Sequence, residues 1–254
     1  MTDKQWTPGR VVWRELMTKD VDKAKGYYGE LFGWTFQDMP MPEGTYTIAK
    51  LGETMVGGMM QLPADDVPPN WMSYVSVEDV DAAAKTVKAE GGTMIVEPKD
   101  VPGMMRFAVL SDPSGAVIGM LRSNDGDGAP PDNLGPGMFC WETAMTKDVK
   151  KAKDFYGKVL GWTTEQGPGD VAVFARAAGS ETRQVADIQQ AKAPMPAFWL
   201  TYVVVEKLEA ARERAEKLGG KILEKNIEVP GVGNIALLRD PAGAMLGLFQ
   251  PAMG

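Results

Sequence analysis

The chain of 254 residues contains no histidine and one cysteine, Cys140. Its chemistry therefore falls to carboxylates, phenols, indoles and thioethers. Without histidine it lacks the commonest metal ligand and the base that titrates most easily near neutrality. The sharpest candidate is Glu15. Val11 to Met17 reads as a strand, and alternation places Trp13, Glu15 and Met17 on one face. A carboxylate between an indole and a thioether would be desolvated, which raises its pKa and suits a general base. Equally, Glu15 could form a buried ion pair with Arg106 on a facing strand. Seventeen methionines also allow two readings, plain core filling or an adaptable apolar cleft.

The elements that position these residues are written twice. Met17-Thr18-Lys19-Asp20-Val21 returns as Met145-Thr146-Lys147-Asp148-Val149, and Tyr28-Gly29 and Gly33-Trp34 return as Tyr156-Gly157 and Gly161-Trp162. Trp13 matches Trp141, Trp71 matches Trp199, and Asp112-Pro113 matches Asp240-Pro241 at one fixed offset. Such an offset means duplication of a whole domain. The bounds read as domain one over 8–122, a linker over 123–137 rich in Asp, Gly and Pro, and domain two over 138–251. Within each half the order strand, helix, three strands occurs twice. The first helix spans Val21–Phe32, with Asp20 as N-cap and Gly33 as C-cap, and the next begins at Val80. This is an α+β fold. In the second half Thr143 replaces Glu15 and Asn234 replaces Arg106, a joint loss that fits a pairing. Trp71 and Trp199 alternate towards the helices, where packing is their simplest role.

The bulk properties exclude several classes. A net charge of −7 argues against nucleic acid, whose phosphates demand a basic face. No apolar run is long enough to span a membrane, and the first residues lack the apolar core of a signal peptide. A single cysteine cannot form an internal disulfide, and a reducing cytoplasm is expected.

These motifs together resemble the vicinal oxygen chelate superfamily, the glyoxalase, bleomycin-resistance and extradiol-dioxygenase group. The resemblance rests on Asp-Val-x-x-Ala-x-x-(Tyr/Phe)-Tyr-Gly ending in Gly-Trp, on Val77-Glu78-Asp79-Val80-Asp81-Ala82-Ala83 before Gly91-Gly92, and on the two Asp-Pro-x-Gly turns. It implies two tandem glyoxalase-like domains, each of two βαβββ units whose sheets curl around a cleft. Metal-dependent members place four ligands, His, Gln or Glu, on the inner wall. The matching positions here hold Trp13, Met72 and Gly119 in the first half and Trp141, Leu200 and Gly247 in the second. The fourth falls near Gly57-Gly58 and Val185-Ala186, with Asp187 the one nearby oxygen donor. Indole, glycine and leucine offer no lone pair to a cation, so neither metal nor other cofactor is expected.

What remains is an aromatic and thioether wall with a few polar groups, the make-up of a small-molecule site. Its expected members are Trp13, Met17, Met72, Tyr74 and Arg106, with Trp141, Thr143 and Tyr202 in the second half. The leading reading is a metal-independent binder of an aromatic or amphipathic ligand. A second is a glyoxalase-like lyase or other enzyme using Glu15 as base on a carbonyl compound. The third is a structural or interaction protein with filled clefts. A homodimer is compatible with each.

Overall fold

The computed structural model describes residues 4–41, 44–129, 134–167, 173–176 and 184–252. Among these are four helices and sixteen strands. The first half runs β1 (Val11–Thr18), α1 (Val21–Phe32), β2 (Thr35–Met41), β3 (Gly44–Leu51), β4 (Thr54–Gln61), β5 (Asn70–Ser76), α2 (Val80–Ala89), β6 (Thr93–Val101), β7 (Met105–Ser111) and β8 (Val117–Ser123). The second runs β9 (Phe139–Thr146), α3 (Val149–Leu160), β10 (Thr163–Gln166), β11 (Val173–Arg176), β12 (Gln184–Gln190), β13 (Phe198–Val204), α4 (Leu208–Lys217), β14 (Lys221–Val229), β15 (Gly233–Arg239) and β16 (Met245–Pro251). Each half forms one eight-stranded sheet, in the orders β2-β3-β4-β1-β5-β8-β7-β6 and β10-β11-β12-β9-β13-β16-β15-β14. In both, the strand before a helix pairs in parallel with the last strand of its unit: β1 with β4, β5 with β8, β9 with β12, β13 with β16.

Local chemistry sets the helix ends. Asp20 and Asp148 accept from the amides of Lys23 and Lys151, each at 3.0 Å, and Asp79 accepts from Asp81 and Ala82. These are N-caps that satisfy otherwise orphaned donors. Gly33 and Gly161 close α1 and α3 at φ 74° and 69°, the left-handed conformation only glycine adopts freely. At α4 the cap position holds Lys207, whose side chain makes no cap bond, and Gln250 Oε1 takes the Leu208 amide at 2.7 Å instead.

The chain packs as two compact units that cut across its repeats. The first joins Met1–Val12, Met72–Pro130 and Glu142–Trp199; the second joins Trp13–Trp71, Pro131–Trp141 and Leu200–Gly254. The core of the first unit combines Val75, Val87, Leu110, Ile118 and Met120 with Phe155, Tyr156, Ile188 and Trp199. That of the second combines Leu16, Tyr28, Phe32, Trp34 and Trp71 with Val203, Leu238, Leu246 and Leu248. Each core thus takes one βαβββ from either half.

The residues shared by the two copies build matching joints inside these units. In the second, Trp71 Nε1 donates to Tyr28 Oη at 2.8 Å, and Tyr28 donates to Asp240 Oδ2 at 2.9 Å. In the first, Trp199 donates to Tyr156 at 3.0 Å, and Tyr156 to Asp112 Oδ2 at 3.0 Å. The other carboxylate oxygen of each aspartate accepts the amides of its own Asp-Pro turn. Trp71 and Trp199 therefore do pack against the helices. Trp34, just before β2, is buried with its indole donating to Gly137 O at 2.8 Å. Strand β14 is implied by the repeat alone: most of its residues are exposed, so it shows no buried alternation of its own.

Candidate functional site

Glu15 lies on β1 opposite Gly58 of β4 in register, on the face away from Leu16, which enters the helix-side core. It is 8% exposed. Trp13 Nε1 donates to Tyr46 Oη at 2.7 Å, and Tyr46 in turn donates to Glu15. The result is a directed chain from indole to phenol to carboxylate. Burial, then the Glu15 charge, holds the Tyr46 phenol well above its ordinary pKa, so it stays a donor. A Cβ on Gly58 would fall on the Tyr46 hydroxyl. The glycine is thus the notch that admits the ring. Met17 stands opposite Met60, and Trp13, Met17 and Met60 remain half-buried.

The expected Glu15–Arg106 ion pair is not formed. Arg106 binds Asp81 with two nitrogens at 2.7 and 2.8 Å and Asp100 at 2.9 Å. Asp81 lies in the first turn of α2, and Asp100 stands opposite Arg106 across the β6–β7 hairpin. A bidentate guanidinium–carboxylate pair within one hairpin and its neighbouring helix is closed locally. Arg106 is therefore a bracing residue on that hairpin, and the joint replacement by Thr143 and Asn234 has no pairing behind it.

In the first unit, Met72 and Tyr74 are buried on β5. Tyr74 stands opposite Gly119 of β8, and a Cβ there would fall inside its ring; Phe107 meets it edge-on at 6.3 Å. In the second unit Tyr202 covers Gly247 in the same way, beside buried Leu200 and half-buried Trp141. The counterpart of the Glu15–Gly58 pair is Thr143–Asp187, again in register between the first and last strands of a βαβββ. Thr143 Oγ1 donates to Asp187 Oδ1 at 2.6 Å, and Gln189 donates to Oδ2. Asp187 is 3% exposed. Sequence reading passed over Tyr46, since only the folded pairing of β3 with β4 brings it over Gly58. A depression of about 370 Å³ at the start of α4 is lined by Lys207, Leu208, Glu209, Ala210, Glu213 and Gln250, none of them a candidate above.

The sequence pattern of the Glyoxalase/Bleomycin resistance protein/Dioxygenase superfamily matches residues 10–120 and 141–248. The chain belongs to that superfamily. The putative glyoxylase CFP32 of Mycobacterium tuberculosis is 30% identical over 255 residues, covering 98% of this chain and 96% of that protein. The anthracycline biosynthesis protein DauV of Streptomyces sp. (strain C5) is 30% identical over 265 residues, covering 97% and 94%. Among solved structures, the Mn(II)-bound glyoxalase from Novosphingobium aromaticivorans matches with a TM-score of 0.67 at 16% identity, over 96% of this chain and 82% of that one. The 2,3-dioxygenase LapB from Pseudomonas sp. KL28 gives 0.65 at 14%, over 98% and 94%. At such identities the structural likeness speaks for the superfamily fold alone.

The positions that match the superfamily's metal ligands do not suit a divalent cation in this chain. Trp13, Met72, Gly119, Trp141, Leu200 and Gly247 supply no oxygen or imidazole donor. Among the described residues no three of His, Cys, Asp and Glu converge. Three of the glycines concerned are overlain by Tyr46, Tyr74 and Tyr202.

Proposed function

We propose that this chain is a metal-independent binding protein for a small aromatic or amphipathic molecule, of the glyoxalase and bleomycin-resistance type. The observation that carries this reading is the replacement of ligand-bearing side chains by rings. Tyr46, Tyr74 and Tyr202 lie over Gly58, Gly119 and Gly247, and Trp13 and Trp141 are only half-buried. An apolar surface with few, fixed polar groups suits a ligand recognised by stacking and one or two hydrogen bonds. A relative named for anthracycline biosynthesis fits the aromatic class.

Two measurements test it. Protein purified without an affinity tag and then dialysed is expected to hold less than about a tenth of an equivalent of transition metal, since a bound site needs three or more convergent donors. Fluorescence titration against a panel of neutral polycyclic aromatics should shift the tryptophan emission with micromolar midpoints, and Trp13→Phe should remove much of the change. Ligand at about 100 times its Kd would add about 2.7 kcal/mol of stability. A panel that moves neither emission nor melting temperature overturns the reading.

A second reading is favoured by Glu15 itself, a buried carboxylate held by a phenol. One relative is named a putative glyoxylase, CFP32, and in a glyoxalase-like lyase such a group would take a proton from carbon beside a carbonyl. That reading requires turnover of an α-ketoaldehyde adduct whose pH–rate profile is abolished by Glu15→Gln.

A further inference from the structure

Helices α1 and α3 occupy the same place in the repeat, yet their charge has diverged. Over 19–32 three lysines meet three acids, and the stretch is neutral. Over 147–160 five lysines meet two acids, which leaves +3 in a chain of net −7. Lys150 stands where α1 has Asp22, and Lys158 where it has Glu30. The loop after β4 carries Asp65 and Asp66, whereas the matching loop after β12 carries Lys192, a change in the same direction. Helix and loop adjoin within the first unit: Ala191 N donates to Thr146 O at 2.7 Å, and Gln190 Nε2 to Lys147 O at 2.9 Å. Lys147, Lys150, Lys151 and Lys192 are all exposed, while the other side of α3 buries Phe155, Tyr156 and Leu160.

This charge works against the helix that bears it. The first turn of a helix favours acids, because its free amides carry partial positive charge. Helices α1, α2 and α4 follow that rule with Asp22, Asp81 and Glu209. Helix α3 has no acid in its first turn, and Lys150 and Lys151 stand there instead. Nor are its lysines neutralised in place. In α1, Lys23 pairs with Asp20 at 3.2 Å, and Lys25 with Asp22 at 3.2 Å and Asp38 at 2.8 Å. Lys153 matches Lys25, but Lys150 and Gln166 hold the places of its two acids. Among the described residues Lys147, Lys150, Lys151, Lys153 and Lys192 form no ion pair; Lys158 is tied to Glu90 at 2.8 Å. Solvation does not account for this, since the neutral α1 is solvated equally well. A local rule broken without compensation inside the fold points to a partner outside it.

We infer that this basic face, from the start of α3 to the loop after β12, is a docking surface for an acidic segment of a partner protein. The counter-charges missing from α3 are then the partner's carboxylates, which also meet the helix end that favours them. The occupant is narrow. Asp148 and Asp154 lie in the same stretch, and Glu90 stands beside Lys158, so a flat anionic membrane would press against acids as well as lysines. A second copy of the chain docking through the same face would set lysine against lysine. The surface lies on the helix side of its sheet and is independent of the small-molecule reading.

The test is fluorescence anisotropy of labelled decaglutamate and decaglutamine titrated with the full chain. Decaglutamate should bind and decaglutamine should not, and the decaglutamate Kd should rise about tenfold or more between about 50 and 300 mM salt. Lys150→Asp with Lys192→Asp, which returns the acids of the first copy, should weaken binding about tenfold or more. Because Lys150→Asp puts an acid into the first turn, this variant should melt no lower than the wild type, which separates lost binding from lost folding. Lys221→Asp with Lys225→Asp, exposed on β14, changes the net charge equally and should leave binding unchanged. An equal loss in that control would make the effect one of net charge and overturn the inference. Decaglutamate binding no tighter than decaglutamine would overturn it too, as would undiminished binding by the Lys150→Asp, Lys192→Asp variant. If vesicles rich in phosphatidylserine bind and decaglutamate does not, the lysines meet a lipid surface and the inference falls.

Discussion

Tyr27 and Tyr28 are neighbours in α1 with opposite circumstances. The Tyr28 hydroxyl donates to Asp240 and accepts from Trp71, whereas the buried Tyr27 hydroxyl has no partner. Tyr27 points at Gly220, where a Cβ would fall on that hydroxyl. Its counterpart is Phe155, whose ring edge meets Gly92 in the same manner. An unsatisfied buried hydroxyl costs about 1–3 kcal/mol, while a satisfied one contributes. Tyr27→Phe should therefore raise stability by about 1 kcal/mol, and Tyr28→Phe should lower it by about 1–3 kcal/mol. Denaturant midpoints of the two variants check both signs, and a loss in Tyr27→Phe would mean the hydroxyl is in use. The contrast was not legible in the sequence, where the helical spacing of Val21–Phe32 says nothing of which hydroxyl finds a partner. It arises from which residue of the other half each one meets.

The Asp-Pro turn is the element where such meetings are made. The Asp240 carboxyl is raised above its ordinary pKa, first by burial, with the Tyr28 hydroxyl and the turn amides opposing. The folded chain therefore keeps a proton on Asp240 at a pH where the unfolded chain has lost it. The resulting stabilisation is complete below the unfolded value of about 3.9 and is lost as pH rises through the folded value. Across that window the stability of the wild type should fall relative to that of Asp240→Asn, measured by urea unfolding from pH 3.5 to 7; a parallel course would refute the assignment. Elements of this kind were largely readable. Caps, helices and turns are set by neighbours along the chain, so Asp20, Gly33 and Asp112 announced them. Tyr46 over Gly58 and the true partners of Arg106 depend on strand pairing, to which local pattern is blind. Strand β14 lacked the buried alternation that would have marked it.

At the scale of the molecule, each core is assembled from both sequence halves. The joints Tyr28–Asp240 and Tyr156–Asp112 each connect one half to the other. A protease site placed between Ala129 and Leu134 should accordingly yield two fragments that still elute together and separate only in denaturant. Fragments that part under native conditions would show that each half holds its own core. This arrangement also has a genetic consequence. Tandem copies are prone to recombine and collapse to one, but here the loss of either copy would leave two incomplete cores, viable only if the survivor pairs with another like itself. The duplication is held in place by the fold it produced.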